Sequence, residues 1–147
     1  MELKFEVYGK IKKPVAEVFD AVYNPKKLSG YFTTGGASGP LDEGKTVTWD
    51  FADFPGAFPV YVKQVVKNEK IVLEWANSIE GGNNRVEMSF EALDGHSTLV
   101  KIRESGWKKQ DQKSLDASYG NCMGWMQMIS CLKVYVEYGK NLREFFF

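Results

Sequence analysis

Polar and apolar side chains alternate over residues 2–11, with Leu3, Phe5, Val7, Gly9 and Ile11 on one side and Lys4, Glu6, Tyr8 and Lys10 on the other. A period of two predicts a strand with one buried face. The spacing then changes. Val15, Val18, Phe19 and Val22 recur at helical intervals behind Pro14, which suits a first helical turn because its missing N–H needs no partner there. Asn24-Pro25 ends that helix, and a second short turn over residues 26–30 leads into Tyr31-Phe32. Residues 33–40 read as loop. Alternation returns over residues 45–51, 60–66, 70–76, 85–93 and 97–105. Asp94-Gly95 joins the last two, and that pair favours a type I′ turn. Residues 77–84 form a polar, Gly-rich loop, and residues 52–59 read as a connection. Connections seldom carry two phenylalanines, here Phe54 and Phe58.

The longest pattern comes last. Over residues 112–139 no proline intervenes, and Leu115, Tyr119, Cys122, Trp125, Met126, Ile129, Leu132 and Val136 follow one another at steps of three and four. They predict an α-helix roughly 40 Å long, enough to cross a small domain. Met123, Met128, Cys131, Val134 and Tyr135 widen the apolar arc. A helix apolar over most of its girth is buried on several sides or covers something besides its own core. Asp111 or Ser114 caps its start. Gly120 and Gly124 are expected to let it approach its neighbours closely.

Strand, two short helices, five or six antiparallel strands and one long helix make an α+β arrangement. At 147 residues the chain is expected to form one domain spanning 1–147, large enough to fold without a metal or disulfide staple. Nineteen basic and nineteen acidic residues cancel, and the lysine pairs are scattered, which argues against a nucleic-acid binder. Charges interrupt the N-terminus, and no run of 18 apolar residues predicts a membrane span. A cytoplasmic location is expected. Cys122 and Cys131 lie about 13 Å apart along the helix, beyond the ~7 Å a disulfide spans, and are expected to be reduced. The one histidine, His96, follows a turn, so neither a Ser/Cys–His–Asp triad nor a metal site of ordinary ligand count can assemble. No glycine pair has a phosphate-loop spacing. Neither a cofactor nor a metal is expected.

Residues 11–19 (Ile-Lys-Lys-Pro-Val-Ala-Glu-Val-Phe), 100–107 (Val-Lys-Ile-Arg-Glu-Ser-Gly-Trp) and 124–139, which open on Gly-Trp, carry a family likeness. The chain resembles the START/birch-pollen-allergen (SRPBCC) superfamily. Within it, it resembles the family of the C-terminal domain of the activator of the ninety-kilodalton heat-shock protein ATPase. The resemblance implies a helix-grip fold: a curved antiparallel sheet of about six to seven strands round the C-terminal helix. It also implies an elongated cavity between them that takes lipid-, polyketide- or flavonoid-like molecules. It brings no set of catalytic residues.

The residues themselves supply a lining. Trp49, Phe51, Trp75, Met88 and Phe90 on strands would face Tyr119, Cys122, Met123, Trp125, Met126 and Ile129 on the helix, with Phe54, Phe58 and Trp107 at the margins. An ordinary packed core is the alternative, with Met filling gaps. Flat aromatic rings suit ring-shaped ligands. Glu104 falls on the same face as Val100 and Ile102. A carboxylate there needs a partner such as Arg85 or Arg103, or becomes a candidate acid or base, unless it ends its strand and reaches water. The first expectation is therefore binding of a small hydrophobic molecule. The second is a cyclase, dehydratase or hydrolase using Glu104 with Tyr119 or Tyr61. The third is contact with a chaperone, through an exposed apolar patch. Oligomeric state is not legible.

Overall fold

The computed structural model describes residues Met1–Phe147. The elements run β1 (Leu3–Ile11), α1 (Val15–Tyr23), α2 (Pro25–Leu28), β2 (Gly36–Ala37), β3 (Thr46–Phe51), β4 (Phe54–Val66), β5 (Lys70–Ala76), β6 (Asn83–Asp94), β7 (Ser97–Trp107) and α3 (Gln112–Tyr138). All strands join one antiparallel sheet in the order β1-β7-β6-β5-β4-β3-β2. From β3 onward each strand pairs with its predecessor, and β1 docks on β7, so α1 and α2 carry the chain from one sheet edge to the other.

Local chemistry explains where elements begin and end. The Asp111 carboxylate accepts the Ser114 N–H at 2.9 Å and starts α3; Gly139, at φ 69°, ends it in the left-handed conformation that glycine adopts without strain. Two expectations change. Residues 52–59 are mostly strand: β4 starts at Phe54, leaving Ala52-Asp53 as the turn from β3. Pro55 and Pro59 are tolerated because β4 pairs with β5 only from Tyr61 onward, so its first half has a free edge. The β6–β7 turn is not type I′, since neither Asp94 nor Gly95 has a positive φ. A bulge between Ala92 and Asp94 supplies the twist instead, and the Asp94 carboxylate satisfies the turn by accepting the His96 N–H at 2.7 Å and the Ser97 hydroxyl at 2.9 Å.

α3 lies against β1, β7 and α1, and its backbone makes no comparable approach to β3, β4 or β5. The close point is Gly9 of β1, where a Cβ would come within 2.8 Å of the Ile129 methyl. The glycine that admits the helix therefore sits on the strand. Along α3 the inward line runs through Ser114, Ser118, Trp125, Met128, Ile129 and Leu132. Tyr119 and Met126, expected on it, fall about a third of a turn away and are exposed. Across the β3–β5 side, where α3 stands off, large rings fill the wedge. Phe32, Trp49, Trp75 and Trp125 meet with ring centroids 5.2–6.2 Å apart in mostly tilted or edge-on pairs. No helix is long and apolar enough to cross a membrane.

Candidate functional site

Glu104 comes from β7 on the inward face of the sheet and is 1% exposed. Its Oε2 accepts N–H groups from Asn84 at 2.8 Å, Asn121 at 2.9 Å and the Trp75 indole at 3.1 Å. Its Oε1 accepts the Trp125 indole N–H at 2.7 Å. These donors surround two oxygens, the arrangement an ionised, acceptor-only carboxylate satisfies. No cation takes part. Arg103 pairs with Glu6 and Arg85 with Glu87 on the other side of the sheet, which corrects the expected arginine partner. A period of two dictates this, because residues next to Glu104 in the strand point away from it. The carboxylate neither ends its strand in water nor stands unpaired. Its effect is to fix two indoles: with their N–H edges held on one residue, the Trp75 and Trp125 rings lie 5.2 Å apart at 33°.

Those rings form the floor of a groove of about 640 Å³ along the flank of α3. Phe51, Phe54 and Phe58 form one wall, and Gly120, Met123 and Gly124 of α3 the other. The space beside the core here is a half-open groove at the β3–β5 end, where an elongated cavity between sheet and helix was expected. The two helical glycines open onto it: a Cβ on either would meet nothing within 4 Å. They do not serve close packing, as the sequence suggested, and each costs about 1 kcal/mol of helix propensity against alanine.

Residues after α3 close one end. Arg143, 7% exposed, donates to both Asp53 carboxylate oxygens, Nε at 3.1 Å and an Nη at 3.0 Å, and its other Nη donates to the Gln127 carboxamide oxygen at 3.2 Å. Its guanidinium lies 4.6 Å from the Phe51 ring centroid, and Phe147 packs edge-on to Phe54 at 5.5 Å. The chain end is thereby strapped from the helix to the β3–β4 turn.

Of the residues singled out in the sequence, Phe51, Phe54, Phe58, Trp75, Met123 and Trp125 come together around the groove. Trp49, Met88, Phe90 and Ile129 are buried in the filled core, and Cys122 packs half-buried against it. Trp107 is buried against Phe5. Tyr119, 63% exposed, and Met126 face outward. Glu104 lies behind the indoles, and neither Tyr119 nor Tyr61 is among its hydrogen-bond partners. Tyr61 alternates with the buried Val60 and Val62, so it takes the opposite face of the sheet. Burial raises the Cys131 thiol pKa, as befits a packed, inert cysteine. Sequence reasoning missed Phe32, Gln127 and Arg143. Phe32 follows a short helix and Arg143 a helix end, where no periodicity marks a direction.

A family model described as "Activator of Hsp90 ATPase homolog 1-like protein" matches residues 12–137. Among solved structures, a protein from Staphylococcus saprophyticus aligns at TM-score 0.77 and 26% identity, covering 95% of this chain and 96% of that one. DynU16, a protein of the dynemicin biosynthetic locus, aligns at TM-score 0.77 and 23% identity over 95% of this chain and 49% of its own. The Aha1 dimer from Colwellia psychrerythraea aligns at TM-score 0.75 and 18% identity, covering 94% of this chain and 98% of that one. No curated protein matches. The last two likenesses bear on the fold, which is the helix-grip arrangement of a seven-stranded antiparallel sheet and a long C-terminal helix.

Proposed function

Because this chain belongs to the Activator of Hsp90 ATPase homolog 1-like family and carries an aromatic groove beside its long helix, we propose that it binds a small hydrophobic, ring-containing molecule there. The observation that carries this is the pair Gly120 and Gly124. Two glycines weaken the interior of a 27-residue helix and relieve no clash, yet both face the groove. Departures from local helix rules without a packing reason belong to functional surfaces. The Glu104 hub adds preorganisation, since indoles already fixed lose little freedom when a flat ligand stacks on them. The likeness to a protein of the dynemicin biosynthetic locus is in keeping with small-molecule binding.

Titration with flavone, followed by tryptophan emission, tests the reading. Saturable quenching is expected in the wild-type protein and weakening by at least roughly tenfold in Gly124→Leu, whose side chain occupies the groove. Equal affinity in the two proteins would remove the groove as the binding place.

A second reading has one observation in its favour. Tyr119, Met123 and Met126 form an exposed apolar line on α3, of the kind that serves protein contact. The family's name links it to an Hsp90 ATPase. Turnover by a purified Hsp90-type ATPase is expected to rise on adding the protein and to lose that rise with Tyr119→Glu. Unchanged turnover would leave the ligand reading alone.

A further inference from the structure

The polar end of the groove says more about the ligand than its aromatic walls do. Gln127 lines the groove and is 7% exposed, and its Nε2 has no hydrogen-bond partner. The carboxamide cannot be turned round to cure this: its oxygen accepts from Arg143 at 3.2 Å, and the reverse orientation would set two donors face to face. A buried amide N–H without an acceptor costs free energy in the empty protein, and because it is already stripped of water, an arriving acceptor gains the bond without that desolvation. Charge narrows the choice. Arg143 sits beside Gln127, but Asp53 pairs its charge through two bonds of 3.0 and 3.1 Å, so the guanidinium offers no free cation to an anionic ligand. A carbonyl oxygen satisfies the donor outright, whereas a hydroxyl brings a proton of its own that would have to share the Gln127 oxygen already accepting from Arg143.

We infer that the molecule held in the groove carries an uncharged, ketone-type carbonyl whose oxygen accepts the Gln127 Nε2–H, its rings lying on the Trp75 and Trp125 indoles. This rests on the groove being the binding place. Gln127 here is a specificity residue: it chooses among flat molecules of equal size.

Calorimetric titration with 9-fluorenone and with fluorene tests it, since the two share a skeleton and differ in the carbonyl. The wild-type protein should bind fluorenone more tightly by roughly two- to tenfold, the range one hydrogen bond supplies. Gln127→Glu keeps an acceptor for Arg143 but removes the donor, and Gln127→Met removes both. Each should erase the preference, so that fluorenone and fluorene bind equally well within each variant, with unfolding temperatures confirming that the variants are folded. Equal affinities in the wild-type protein, or a preference that survives both substitutions, would overturn the inference and leave the groove reading standing. If neither compound binds, the groove reading falls and the inference with it.

Discussion

At Glu104 the surrounding donors are all neutral and all aimed at the two carboxylate oxygens, so any change that adds a proton donor there sets donor against donor. In Glu104→Gln the carboxamide oxygen can serve Asn84, Asn121 and Trp75, but its NH₂ then faces the Trp125 indole N–H. Leaving one buried donor unsatisfied costs about 1–3 kcal/mol. Denaturant unfolding should show a loss of that size; a variant as stable as the wild type would contradict the hub. The sequence announces part of this. The phase shared with Val100 and Ile102 marks the carboxylate as inward-facing, but the arginine partner expected for it, Arg85 or Arg103, lies on the other side of the sheet with Glu87 or Glu6. What the sequence does not announce is which polar groups meet it. Asn84 lies in a stretch that reads as loop, and Asn121 stands among small and apolar residues on the helix. Only the fold brings them to the same two oxygens.

Elements add constraints that single residues do not carry. β7 ends at Gly106-Trp107 because Gly106 has φ 132° and presses on Asn84, where a Cβ would come within 2.5 Å of the side-chain oxygen and 2.8 Å of Cα. Gly106→Ala combines backbone strain with displacement of a Glu104 donor and is expected to destabilise by more than about 2 kcal/mol in denaturant unfolding; a neutral effect would show the approach to be soft. Gly124→Ala should do the reverse, raising stability by up to about 1 kcal/mol, because its methyl meets nothing. A loss there would mean that the helix needs the glycine for packing. The cap of α3 gives a pH signature. The Asp111 carboxyl pKa is lowered chiefly by the Ser114 backbone N–H, so its contribution is present above the ordinary carboxylate range and lost as pH falls through the lowered value. Against Asp111→Asn, which caps at every pH, the wild-type unfolding temperature should lose ground only in acid; a gap constant from pH 7 to 2 would contradict this. Helix and strand spacing was legible because burial on one face imposes a period. The true face of α3 was harder to read, since Ser114 and Ser118 take inward places that a hydrophobicity pattern assigns to Tyr119 and Met126.

For the molecule as a whole, the decisive feature is how α3 sits on the sheet: tight on β1 and β7, standing off from β3–β5. Gly9 permits the first, and the large rings of Phe32, Trp49, Trp75 and Trp125 bridge the second. A wedge filled by flat rings closes incompletely, and the groove is what remains. Element order and composition made the fold readable; the asymmetry of the wedge depends on which strand faces which end of the helix, and only the assembled sheet decides that. The central claim is that ligands enter this groove and rest on the indoles fixed by Glu104. The most direct measurement follows the indole N–H resonances by two-dimensional NMR while flavone is added. The Trp75 and Trp125 signals should shift saturably and together, while that of Trp107, packed on Phe5 outside the groove, stays in place. Unmoved Trp75 and Trp125 signals, with flavone bound elsewhere or not at all, would contradict the account.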